Sequence, residues 1–488
     1  MSPDRSPVAA LLLALCILLT GPAAAQEVPG DEAERIEARY MGLRAQLSDL
    51  QDPRDLHSRL GVDLSPSPGG PQAKVELFDL RLALAQMALV VGTNDQLTVL
   101  RAQPQGRLVA ISLREGSIDA DRLLSEARRL DPAAVVEGAM AYPVLVQQGA
   151  TLRIEDGAVL ALDRGAGAFV VNLGRLELAA GGIVARGAVN ASAHEFAPFV
   201  VTAGTGVLQA EAALFSGLGF GRTPSFSGLA VIVSGLYRPS EPSVLRASLL
   251  RDLNAVRFVM TKDSAISDNI FVDARSTALE LRGTSGARLS GNLFVDGAGD
   301  AIRLSDGARA TRLERTEIYR PALNGIRLRG ASNGTLVRDT LVWQAGKSAL
   351  SVSRSDCTSV EGLRAIASGQ KGLALRQARA SRITGSTIAG SGSSGLYVTQ
   401  QPEGTVLDLE GNRFSANRVG IDTAAPARLV LSANDFSDQF PRFLDGDVQD
   451  GSAALMADLS GRQPLVLAAG GTDARFLPPP DCAASDEG

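Results

Sequence analysis

Six arginines recur on a regular spacing within a 488-residue chain that is acidic overall, with 48 Lys plus Arg against 53 Asp plus Glu. Aligned in units of about 23 residues, they fall in two columns. One column reads Arg257, Glu280, Arg303, Arg327, Ser351, Ala374, Tyr397, and the next reads Val259, Arg282, Ser305, Arg329, Ser353, Arg376, Thr399. A guanidinium is planar, permanently charged and able to hold a carboxylate through two parallel hydrogen bonds. A row of such groups suits a polymer that carries one carboxylate per unit. Arg257, Arg303, Arg327, Arg329 and Arg376 are therefore candidate substrate-binding residues. The plainer reading is that exposed strands need solubilising charge. Six arginines in fourteen positions, in an acidic chain, favour an anionic ligand.

The elements that must position these columns are short strands. An aliphatic anchor recurs at Leu245, Ile266, Leu289, Leu313, Val337, Val360, Ile383, Leu409 and Leu431, in steps of 21 to 26 residues. Three residues after most anchors stands Asn, Ser or Thr, as at Ser248, Asn269, Asn292, Asn412 and Asn434. Five after stands an apolar residue, often Phe, as at Phe271, Phe294, Phe414 and Phe436. A second apolar pair follows, as in Ile302/Leu304 and Leu350/Val352. The spacing of two is that of strands, and Gly, Ser, Asn and Asp fill the corners. A unit this small has no core of its own, so units must stack, each strand pairing in parallel with its equivalent in the next coil. The fold class is an all-β solenoid, a right-handed parallel β-helix with an N-terminal helical or mixed extension. Leucine-rich repeats would need a different leucine spacing, which is absent. Residues between the inward pairs of the second strand then point outward, which places the arginine columns on one flank.

The predicted organisation is a signal peptide at 1–25, a capping region at 26–141, the β-helix at 142–448 and a tail at 449–488 that covers the last coil or trails away. Arg5, the apolar run Val8 to Leu19 and Ala23-Ala24-Ala25 form the export signal, too short to span a bilayer. A soluble, periplasmic protein with no membrane span is expected. Ile36, Tyr40, Leu43, Leu47 and Leu50 have helical spacing and predict a packing or capping helix. Leu108 to Leu113 reads as a strand, followed by a helix capped by Asp119 or Asp121 and ending near Leu130. Two His and three Cys exclude most zinc sites, and the outward columns lack the carboxylate cluster that calcium needs, so no metal or other cofactor is expected. Cys357 and Cys482 either form one bridge or remain separate thiols. The charge balance gives no support for nucleic acid as a partner.

Particular segments carry a resemblance. They are Tyr142 to Val146 followed by Gly149 to Ile154, Gly167 to Asn172 followed by Gly174-Arg175-Leu176, and Glu195-Phe196-Ala197-Pro198-Phe199. Together with Gly219-Phe220 and Ser227-Gly228-Leu229, these resemble the periplasmic mannuronan C5-epimerases, over about Leu108 to Val419. The resemblance implies a β-helix that acts on an acidic polysaccharide, alginate in that family. It also implies a D-P-H-D motif with a catalytic His, and here that stretch reads Glu280-Leu281-Arg282-Gly283. The motif is not retained. Asp52-Pro53-Arg54-Asp55 lies in the N-terminal region and reads as a turn, His57 as an ordinary surface or packing residue and His194 as a loop residue. Candidate catalytic groups are thus Arg282, Glu280, Lys262 and Tyr397. Three functions follow: an epimerase-like protein that binds a uronate-containing exopolysaccharide without the standard catalysis; an active epimerase or lyase on a different uronan, using Arg282 with Lys262 or Tyr397; and a scaffold that binds proteins of a polysaccharide secretion complex.

Overall fold

A computed structural model describes residues 29–50, 70–92, 95–104, 107–425, 428–473 and 482. The signal segment, Asp52 to Asp55, His57 and most of the Ser/Pro/Gly linker lie outside the described residues. Each coil passes through three strands, one in each of three sheets, and the chain is a right-handed parallel β-helix. Sheet one contains the arginine columns, sheet two the aliphatic anchors and sheet three the Phe positions. The described residues fall into two compact units, Ser48–Glu280, and Leu281–Gly488 with the segment ending at Leu47.

In the first unit, coiling starts ahead of residue 142. Val109–Arg114 pairs in parallel with Val144–Val146, and Gly116–Asp119 with Ala150–Glu155. Ile111 and Leu113 are fully buried, and so are Ala110 and Ser112, so this strand is covered on both faces. Lys74–Asp79 then closes the exposed edge by pairing antiparallel with Val109–Arg114. Asp79 accepts a hydrogen bond from the Arg81 backbone and caps the helix Leu80–Val91, which ends at Gly92 with φ +77°. That helix buries Leu80, Leu84 and Met87 in one cluster with Phe169, Phe196, Phe199, Phe220 and Phe226. Phe169 stacks on Phe199 at 4.6 Å between centroids. The two Phe of Glu195–Phe199 therefore serve the core, as do those of the neighbouring resembling segments. The helix Ala120–Leu130 begins where the capping residue predicts, with Asp119 accepting from the Arg122 backbone.

In the second unit, the predicted corner ladder is built of amides. The Ser386 backbone donates to Asn412 Oδ1 at 2.9 Å, and Asn412 Nδ2 donates to Asn434 Oδ1 at 2.9 Å and to the Ile383 carbonyl at 2.8 Å. Beside it Phe414 and Phe436 stack at 4.6 Å, a contact worth about 0.5–1.5 kcal/mol beyond its buried area. A second ladder lies outside the repeat columns, where Asn417 Nδ2 donates to Gln439 Oε1 at 2.9 Å. Each corner turns on a left-handed residue. Arg315 and Asp339 adopt φ +47° in the corner where Gly362 and Gly385 stand in later coils.

The helix Pro29–Asp49 packs through Ile36, Tyr40, Leu43 and Leu47 on sheet three of this unit. Tyr40 lies 5.4 Å from Trp343 and donates to Asp296, while Arg39 pairs with Glu317 at 2.6 Å and Arg364 with Glu32 at 2.6 Å. It is a packing helix, as its spacing predicts. At the far end the tail covers the last coil, with Leu465–Ala468 pairing antiparallel with Arg428–Ser432. Cys482 is bonded to Cys357, which resolves the open question of the two thiols.

Candidate functional site

Strand register sets the geometry of the arginine face. Arg303 pairs with Arg327, Arg327 with Ser351, Ser351 with Ala374 and Ala374 with Tyr397. Alongside, Arg329 pairs with Ser353, Ser353 with Arg376 and Arg376 with Thr399. Within the second unit the columns are therefore real, at the strand spacing of about 4.8 Å.

The carboxylates around them change the chemistry. In the first unit Arg257 is only 8% exposed, its Nε lies 2.8 Å from Glu280, and its Nη1 donates to the Arg222 carbonyl. Arg257 is thus a buried structural pair with Glu280, and neither residue presents the free group expected of them. In the second unit Asp300 is fully buried. It accepts from Arg303 Nε at 3.0 Å and Nη2 at 2.7 Å, and from the Asn324 backbone and amide at 3.1 and 2.7 Å. Arg327 approaches the same carboxylate at 3.8 Å. One buried acid thereby aims two arginines on adjacent coils. Arg282 is exposed and faces Asp306 at 2.7 Å. Two guanidiniums stand apart from this pattern. Arg376 is exposed and donates to the Gln400 amide, and Arg329 is half-buried with no carboxylate partner among the described residues.

Arg282 and Tyr397 lie in strands five steps apart in sheet one, about 24 Å at the usual strand spacing. They cannot serve the same sugar ring, so the pairing of Arg282 with Tyr397 for catalysis is corrected by geometry. Tyr397 instead meets Lys371, whose Nζ lies 3.8 Å from its ring centroid. Tyr397 is also in register with Asp422, and Asp422 with Asp445. Burial pushes the Lys371 ammonium pKa down against the opposing charge of Asp422. Burial likewise pushes the Asp422 carboxyl up, with the Asp445 charge adding to the effect and Lys371 opposing it. Lys371 and Asp422 were absent from the candidates because the repeat columns stop at Tyr397, and Lys371 lies outside both.

Lys262 and Asp263 are exposed in the first unit and line a cavity of about 560 Å³ together with Ser234, Arg238, Glu241 and Met260. His194 is exposed, and its backbone carbonyl accepts from Arg164. Among the described residues no cluster of three His, Cys, Asp or Glu side chains converges as a metal site. Nor is any described helix long and apolar enough to cross a membrane.

Comparison with known proteins agrees first on the class. The right-handed β-helix region family matches residues 306–445. No curated protein sequence matches the chain. Among solved structures, the periplasmic alginate epimerase AlgG is similar with a TM-score of 0.65 and 16% identity, covering 78% of this chain and 94% of that one. A point mutant of the same epimerase gives a TM-score of 0.66 at 16% identity, covering 78% and 95%. At this identity the likeness establishes a shared fold.

Proposed function

We propose that this chain is an exported β-helix that binds an acidic, uronate-containing polysaccharide along sheet one of its second unit, without the epimerase catalysis that a D-P-H-D motif supports. One observation carries the reading: Arg327, Arg329 and Arg376 stand in register on one face, separated by the small residues Ser351, Ser353 and Ala374. The two strand steps from Arg329 to Arg376 span about 10 Å, which matches roughly two sugars of an extended chain at about 5 Å each. The small residues leave room for the rings, and the guanidiniums at either end take alternate carboxylates. Asp300 holds Arg303 and Arg327 in place at one end of this run, at the cost of part of their charge. The fold shared with a periplasmic alginate epimerase supports the same ligand class and the periplasm as the compartment. The signal-like first 25 residues point to the same compartment.

The test is binding of alginate, pectate and glucuronan against a neutral glucan, by gel shift or calorimetry across a salt series. Uronans should bind and weaken with salt while the glucan does not bind. Replacing Arg329 and Arg376 by Ala should each cost about tenfold in affinity, the scale of one charge-assisted contact. Equal affinity for the neutral glucan, or none for any uronan, would remove the proposal. Pull-down of secretion-complex proteins that survives both substitutions would favour the scaffold instead.

A further inference from the structure

Beyond the arginines, sheet one of the second unit carries a group suited to acid–base chemistry. Tyr397 and Asp422 are outward register partners on adjacent strands, and Lys371 folds across from the preceding coil onto the face of the Tyr397 ring. All three are half-buried, and Arg376 stands two residues beyond Ala374, the register partner of Tyr397. Among the described residues Lys371 has no ion-pair partner, so the aromatic face is what seats its amine. We propose that Lys371 and Asp422 transfer protons at C5 of a uronate unit, with Arg376 neutralising its carboxylate and Tyr397 acting as the positioning residue for Lys371. This deepens the polysaccharide-binding reading and rests on it.

The plainer explanation is a structural contact between a lysine and a neighbouring acid. Such a pair would strengthen both charges, raising the lysine and lowering the carboxyl. The reverse holds here, because burial outweighs the mutual attraction for both groups. The other charges acting on Asp422 are Asp445 and Arg442, which pair with each other. Burial thus moves each group toward its neutral form relative to its ordinary value. Two titratable groups shifted in this way are matched to base and acid roles.

The chemistry balances within the site. The C5–H bond breaks, its proton passes to Lys371 in its amine form, and the electron pair moves into the carboxylate held by Arg376. Asp422 then gives its proton to C5 from the other face, inverting the centre. Alternatively C4–O breaks, a C4=C5 double bond forms, and the Asp422 proton goes to the leaving oxygen. Exchange with solvent returns both groups to their starting states.

The experiment incubates the purified protein with alginate, pectate and glucuronan in deuterated water. It follows deuterium at C5 by NMR and unsaturated ends by ultraviolet absorbance, and binding is measured in parallel. Either product signal is expected from the native protein. Lys371→Gln and Asp422→Asn should each lower it by roughly 100-fold, the scale of one acid–base group, with binding retained. Tyr397→Phe keeps the ring and should retain clearly more activity than Tyr397→Leu. Tyr397→Leu should lose activity and shift the pH profile, a change that simple loosening of the fold would not produce. Circular dichroism checks that each variant is folded. Uronan binding with neither signal overturns this proposal and leaves the binding reading standing. A signal unchanged in Lys371→Gln and Asp422→Asn also overturns it. Absence of binding and signal together removes both.

Discussion

Asp300→Asn isolates the element that aims the arginine face. The amide oxygen of Asn can replace Oδ1 and keep the bonds from the Asn324 backbone and side chain. What disappears is the pair of charge-assisted bonds from Arg303 Nε and Nη2 to Oδ2. Each such bond is worth about 1.5–3 kcal/mol. The Arg303 side chain is 24% exposed and recovers part of that by rehydration, whereas Asp300 is not exposed at all. A net loss of about 3 kcal/mol follows, at the low end of what breaking a buried pair costs. Asp300→Ala should be worse by about 1–3 kcal/mol, because it also orphans the Asn324 donors. Trp343 is the single tryptophan and lies in the same unit, so its fluorescence in urea reports the loss directly. The double variant Asp300→Asn with Arg303→Met should recover about 2 kcal/mol relative to the sum of the single changes, since the two hydrogen-bonded charges are removed together. A single variant within about 0.5 kcal/mol of native, or strict additivity, would refute the idea that this carboxylate is an organising centre.

Three further perturbations test other parts of the molecule. Tyr40→Ala removes a buried ring and its bond to Asp296, so it should cost about 3 kcal/mol, shift Trp343 emission to the red and open Pro29–Asp49 to proteolysis. Tyr142 donates to Asp131, and that bond, followed by the Ala133 backbone N–H, holds the Asp131 carboxyl below its usual range. Because the folded value is depressed, the stabilisation is present above the unfolded pKa and is lost as pH falls through the folded one. Tyr142→Phe should therefore cost about 1 kcal/mol at neutral pH, and denaturation midpoints should converge with native in acid. Cys482→Ser opens a loop of 125 residues and should lower the unfolding free energy, read from urea titration, by up to about 4–5 kcal/mol, with a thiol assay finding no free cysteine at either position in the native protein.

Much of this fold was legible because its period is local. Once the anchors recur every 21 to 26 residues, strand direction, the Asn412–Asn434 ladder and the Phe414–Phe436 stack follow from stacking like on like. The helix Pro29–Asp49 and the Asp119 cap were legible for the same reason, since their signals lie within a few residues. The first coil was missed because Val109–Arg114 has no repeat before it to compare with, so a strand of the solenoid looked like part of the cap. The site was legible only as columns. Repeat arithmetic put Arg303, Arg327, Arg329 and Arg376 on one face, but Asp300 sits in a turn ahead of its strand, outside any column. Lys371 shows the same limit. Its backbone pairs with Ser394, yet its side chain bends across to Tyr397, a reach that no periodicity records.

Stacked parallel strands create a hazard at both termini, since a bare edge can recruit the matching edge of another molecule. Lys74–Asp79 turns the first edge antiparallel and presents Lys74 and Glu76, while Leu465–Ala468 does the same over Arg428–Ser432. The reversed direction breaks the template that parallel coils would otherwise propagate. Deleting residues 465–473 should accordingly turn the protein into one that grows end to end as fibres.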